Sequence, residues 1–241
     1  MFWMIIGSIA LFVAGVAAGA AAYHSLQPLL DRVRLAEKGV DRLGQYKLGE
    51  KIGEGGMGAV YHAEHALLRR PTVIKIFHAE QSTPQSVARF EREVQFTSQL
   101  NHPNTISVYD YGRTPEGIFF YAMEYLEGLT LHKLVESEGP LPEGRVINIL
   151  RQACGSLYEA HQRGLVHRDI KTSNMMLTLR AEIPDMVKVL DFGLVKQIDA
   201  GTTVTTEGTM TGTPLYMSPE QITNPSKVGP ASDIYSLGVL R

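Results

Sequence analysis

The chain has a single cysteine, Cys154, among 241 residues, so no internal disulfide can form, which suits a reducing compartment. An excess of one charge sign is also missing. Its 23 basic and 25 acidic side chains give a formal net charge of −2, which leaves no global basic field for nucleic acid. No internal repeat or low-complexity tract appears. A further absence is local: Met1 to Ala22 carries no charged side chain and is dominated by Ile, Leu, Val, Phe, Ala and Gly. As a helix, such a stretch spans roughly 30 Å of hydrocarbon. Trp3 near one end and Tyr23-His24 near the other stand where interface anchors belong. The competing reading is a signal peptide with Ala-x-Ala patterns near residues 18 to 22, but it lacks the basic residue such a leader carries before its apolar run. Arg32, Arg34, Lys38 and Arg42 follow the span, which places everything after it on the cytoplasmic side. Asp31, Glu37 and Asp41 interleave with them and dilute any lipid-binding patch. Cys154 falls in an apolar helical stretch with Ile147, Leu150 and Leu157 and reads as a small core residue.

What is present is chemically specific. Gly53-Glu54-Gly55-Gly56-Met57-Gly58-Ala59-Val60 has the spacing G-x-G-x-x-G-x-V. Alone this is weak, because dinucleotide folds use the same glycines between a strand and a helix. Here Tyr46-Lys47-Leu48 precedes the glycines and Ala59-Val60-Tyr61-His62-Ala63 follows with rough alternation, so the loop is predicted to be a hairpin between strands. Glycines let backbone N–H groups approach phosphate oxygens. Val60 would cover one face of an adenine. The next strand, Thr72-Val73-Ile74-Lys75-Ile76-Phe77, holds one charge in an apolar run. Following such a hairpin, Lys75 is expected to point at phosphates and to need a carboxylate partner. Residues 86–100 read as a helix with Val87, Phe90, Val94 and Leu100 on an apolar face, and either Glu93 or Glu91 on it could supply that carboxylate. Further on come His167-Arg168-Asp169, Lys171, Asn174 and Asp191-Phe192-Gly193. Phosphoryl transfer to a hydroxyl needs a carboxylate to accept the proton, oxygen ligands for a divalent metal, and a nearby cation. Asp169, then Asn174 with Asp191, then Lys171 fit those needs in order.

Taken together these segments resemble a bacterial eukaryotic-like (Hanks-type) serine/threonine protein kinase, from about Tyr46 to the end. The resemblance implies an α+β, bilobal fold: a small β-rich N-lobe at 46–126 and a partial, mostly helical C-lobe at 127–241. A transmembrane helix at 1–23 and a juxtamembrane linker at 24–45 would precede it. It implies an ATP site with Mg2+, or Mn2+ in its place, held by Asn174 and Asp191. It assigns Lys75 and Glu93 to the phosphate-binding pair and Asp169 to the base, with Lys171 beside it as in the serine/threonine branch. Nucleotide contacts would come from Ile52, Gly53, Glu54, Gly55, Gly56, Met57, Gly58, Ala59, Val60, Val73, Lys75 and Asp191. Met123, Glu124 and Leu126 would form the gatekeeper and hinge, and Met176 the floor. Gly212-Thr213-Pro214 and Ser218-Pro219-Glu220 resemble the end of an activation segment, and Asp233 the brace of the catalytic loop.

The implied protein is a single-pass protein of the bacterial inner membrane, held in the bilayer by residues 2–22, with a cytoplasmic kinase domain. It would act on Ser/Thr hydroxyls of proteins as a non-specific serine/threonine protein kinase and bind no nucleic acid. Gly15 and Gly19 form a G-x-x-x-G face for a homodimer. Three departures from the family pattern are Val73 for alanine, Thr172 for proline and Ser218 for alanine, and none removes a reacting group. An ATP-binding pseudokinase or inactive scaffold therefore finds no missing catalytic residue to support it. A small-molecule kinase is disfavoured by the long threonine-rich segment 202–219. After Asp233 to Leu240 the sequence stops at Arg241, short of the helices and the arginine partner of Glu220 that the family implies, so it reads as a fragment. Thr205, Thr206, Thr209 and Thr211 lie where phosphorylation activates such enzymes, and Arg168 could pair with the added charge of about −1.5 to −2. Mass spectrometry of active protein is expected to find phosphate on this segment, Thr209 first; a segment free of phosphate removes the switch.

Overall fold

The structure, a computed structural model, describes residues 42–55, 58–77, 91, 94–114, 119–180, 183–192 and 214–240. The membrane span, most of the linker, Gly56, Met57, Glu93, Gly193 and the threonine cluster lie outside the described residues. Among the described residues no helix is long and apolar enough to cross a membrane.

The small lobe is a six-stranded antiparallel sheet in the order β1-β2-β3-β4-β6-β5. Its strands are β1 (Arg42–Leu43), β2 (Tyr46–Gly55), β3 (Gly58–His65), β4 (Pro71–Phe77), β5 (Val108–Arg113) and β6 (Phe119–Glu124). The sheet begins at Arg42, inside the stretch read as linker, because Leu43 pairs with Tyr46 and both side chains are buried. Alternation decides β3: Ala59, Tyr61, Ala63 and His65 turn inward while Val60, His62 and Glu64 remain half-exposed. The glycine-rich segment is a β2–β3 hairpin, with Gly55 opposite Gly58. Gly58 tolerates no side chain, since a Cβ there would lie 2.0 Å from the Ile76 carbonyl oxygen.

In the larger lobe, β7 (Gly128–Thr130), β8 (Met175–Arg180) and β9 (Ile183–Val189) form an antiparallel sheet. Helices α1 (Leu131–Glu138), α2 (Glu143–Gln162), α3 (Pro219–Thr223) and α4 (Pro230–Val239) accompany it. The buried face of α2 is Ile149, Ala153, Ser156, Leu157 and Ala160. Cys154, one residue and about 100° beyond Ala153, is exposed, as is Ile147. The expectation of a core cysteine therefore took the wrong helical phase. Ser218 caps α3 through a reciprocal capping box with Gln221, a physical reason for serine where the family pattern has alanine.

The segment at 101–107 joins the lobes. Glu159 on α2 accepts from the Asn101 and His102 amides, and Val189 N donates to the Asn104 carbonyl at 2.8 Å. The His102 ring lies against Gly155, where a Cβ would stand 2.7 Å from it. Lys188, 2% exposed, reaches from β9 to the Thr105 carbonyl at 3.1 Å and to Glu124 at 2.6 Å, tying the larger lobe to the chain that links the two.

Candidate active site

Leu165 to Ile170 form no strand. The backbone donors there go instead to a buried carboxylate. Asp233 on α4, 1% exposed, accepts from His167 N and Arg168 N, each at 2.8 Å, and its Oδ2 lies 2.7 Å from His161 Nε2. Gln221 Nε2 donates to the Arg168 carbonyl at 2.8 Å. Arg168 is thereby held on both backbone groups at φ 65°, a left-handed conformation that non-glycine residues rarely adopt. His167 is fully buried, with Nε2 at 2.8 Å from the Leu190 carbonyl and Nδ1 accepting from Asp169 N at 3.2 Å. These partners suit Nε2 as donor and Nδ1 as acceptor. The ring packs on Phe192 with centroids 4.7 Å apart, and Phe192 is wholly inside the core of the larger lobe.

That scaffold gathers the reactive side chains. Lys171 Nζ lies 3.0 Å from Asp169 Oδ2, and Asn174 Nδ2 donates to the same oxygen at 3.0 Å and to the Asp169 carbonyl at 2.8 Å. With its amino group so engaged, Asn174 keeps its amide oxygen for other work. Leu190 N donates to the Asn174 carbonyl at 2.9 Å, which sets Asn174 beside the residue that precedes Asp191. The Asn174 amide oxygen and the Asp191 carboxylate are donors of the kind a hard divalent cation such as Mg2+ takes. Asp191 itself sits at φ 51°.

From the small lobe, Lys75 Nζ meets Asp191 Oδ2 at 2.8 Å and the Tyr121 hydroxyl donates to Oδ1 at 2.7 Å. Burial works to raise the Asp191 pKa. The Lys75 charge and hydrogen bond, with the Tyr121 hydroxyl, outweigh it and hold the carboxyl below its ordinary value. Burial, then the charge of Asp191, pushes the Tyr121 hydroxyl well above the usual phenol range, so it stays a donor. The carboxylate that meets Lys75 among the described residues is Asp191; Glu93, which the sequence reading offered with Glu91, lies outside them.

Other expected residues fall on the strands β2, β3, β4, β6 and β8. Val60 lies opposite Lys75, and Val73 opposite Met123, in neighbouring strands. Ile52 is exposed, Ala59 is buried behind the hairpin, and Met176 on β8 pairs with Thr130. Glu124 has its side chain committed to Lys188 and to Ser107 N, and its own backbone N donates to the Ser107 carbonyl at 3.0 Å. Sequence reasoning missed Tyr121, His161, Gln221 and Lys188. Tyr121 had a signal: a hydroxyl in the apolar run Phe119-Phe120-Tyr121-Ala122-Met123 must find a partner once buried.

Asp233→Asn keeps the shape but turns an acceptor into a donor facing N–H groups. It should lower unfolding free energy by about 3 kcal/mol in urea titration, and an unchanged midpoint would show that the brace is dispensable.

Residues 46–241 match the sequence profile described as the protein kinase domain. Serine/threonine-protein kinase pkn3 of Myxococcus xanthus is 45% identical over 200 residues, covering 81% of this chain and 36% of that protein. Serine/threonine-protein kinase PknB of Mycobacterium tuberculosis is 41% identical over 199 residues, covering 80% of this chain and 31% of that one. The chain thus spans about a third of the length of the curated relatives it matches. Among solved structures, the PknI kinase domain of M. tuberculosis, as its C20A mutant, superposes with a TM-score of 0.65 at 27% identity, over 81% of this chain and 72% of that one. A profile match over residues 46–241, with bacterial relatives of this similarity, makes the chain a member of the protein kinase domain family.

Proposed function

We propose that the chain is a serine/threonine protein kinase that moves the γ-phosphoryl group of ATP to Ser/Thr hydroxyls of proteins. The observation that carries this reading is the convergence of Lys171 and Asn174 on one oxygen of Asp169, which fixes that carboxylate as an acceptor for a hydroxyl proton. Mg2+, or Mn2+ in its place, would be held by Asn174 and Asp191 and would supply charge neutralisation at the phosphates. Lys75 and the backbone of the β2–β3 hairpin would hold phosphate oxygens. Val60, Val73 and Met176 would enclose the adenine against the backbone of Glu124 to Leu126. The hydroxyl-bearing segment would approach Asp169 over the small recess lined also by Lys171, Tyr216, Met217 and Gln221.

The role split sets the test. Asp169→Asn should lower transfer from radiolabelled ATP to a generic basic protein by about 10³-fold, with nucleotide affinity changed less than about 2-fold. Comparable turnover in variant and parent removes Asp169 as the base.

The same reading places residues 2–22 in the bilayer, with the kinase domain on the cytoplasmic side and the Gly15/Gly19 face available for a homodimer. Alkaline carbonate extraction should leave the chain with the membrane pellet. Release into the supernatant eliminates the anchor.

A further inference from the structure

We propose that Tyr121 is a positioning residue for Asp191: with Lys75 it fixes the plane of that carboxylate from the small lobe, before a divalent cation arrives. The inference rests on the kinase reading above. A carboxylate held at one oxygen can still turn about its Cβ–Cγ bond. Here separate donors hold the two oxygens, Tyr121 at 2.7 Å and Lys75 at 2.8 Å, and each oxygen retains a lone pair for a metal.

The two donors differ in stiffness. Lys75 acts through four rotatable bonds, whereas the Tyr121 ring is 2% exposed and clustered with Val94 and Phe119. Phe77 adds a ring contact, its centroid 5.8 Å away. The hydroxyl is therefore the rigid reference. Lys75 and Tyr121 also face each other directly across β4 and β6, so both tethers come from one cross-strand pair. The backbone of Asp191 lies in the left-handed region, where side-chain tethers count most in keeping a strained residue in place. A phenylalanine would fill the same space, so packing alone does not call for the hydroxyl. Placing an oxygen in an apolar cluster is unfavourable unless it is hydrogen-bonded, and Asp191 is the partner.

The test is direct metal binding, without turnover. The full chain and Tyr121→Phe are titrated with Mn2+ in the presence of a non-hydrolysable ATP analogue, and free Mn2+ is followed by electron paramagnetic resonance. Tyr121→Phe should weaken Mn2+ binding by about 5-fold while leaving affinity for the metal-free analogue unchanged. Phe119→Leu disturbs the same cluster without touching Asp191. It should lower the thermal midpoint yet keep Mn2+ affinity at the parent value. Equal Mn2+ affinity in Tyr121→Phe and the parent overturns this inference alone. So does a loss in Phe119→Leu as large as in Tyr121→Phe, because packing would then be the cause. A parent chain that binds no Mn2+ with the analogue overturns both this inference and the kinase reading.

Discussion

One buried anion sets the shape of the site. Asp233 carries its charge almost wholly inside the larger lobe, where an unpaired carboxylate would be strongly destabilising. Its neighbours remove that penalty by pointing His167 N, Arg168 N and the His161 ring at it. The segment before Asp169 therefore cannot enter a sheet, since its amide hydrogens are already committed. That commitment forces Arg168 into a left-handed turn and delivers Asp169 to Lys171 and Asn174. Loosening Asp233 would release the whole chain of contacts.

A second anion does the corresponding work between the lobes. Asp191 belongs to the segment after β9, yet its two oxygens are held by β4 and β6 of the opposite lobe. Lys188, three residues earlier, is anchored to Glu124 on the linking chain. Consecutive parts of one strand end thus read the position of the small lobe at two points. Partly buried charge pairs of this kind are weak evidence for stability, but they are stringent about geometry, because losing either partner leaves the other poorly compensated. The arrangement accordingly favours specificity of lobe placement over raw stability.

The legibility of the site follows from the same physics. Lys75 could be picked out in sequence as the one charge in an apolar run, and Asp169, Asn174 and Asp191 by the order of groups that phosphoryl transfer needs. The hairpin between Gly55 and Gly58 was legible because glycine and alternation are local signals. Cys154 was misread because a helix's apolar stripe does not reveal its own phase when Ile147 and Leu150 blur its edge; only packing against β9 and its neighbours selects Ile149, Ala153 and Leu157.

The sequence by itself determined which chemical groups are present and in what order, and local periodicity marked β2, β3, β4 and part of α2. It could not determine partners across 116 residues of chain, as for Lys75 and Asp191, or across 66, as for His167 and Asp233. Such pairings depend on which faces of β4, β6 and α4 turn inward when the lobes close on each other. That choice is made by the summed burial of many apolar side chains, so only the tertiary structure decided that Tyr121 shares Asp191 with Lys75.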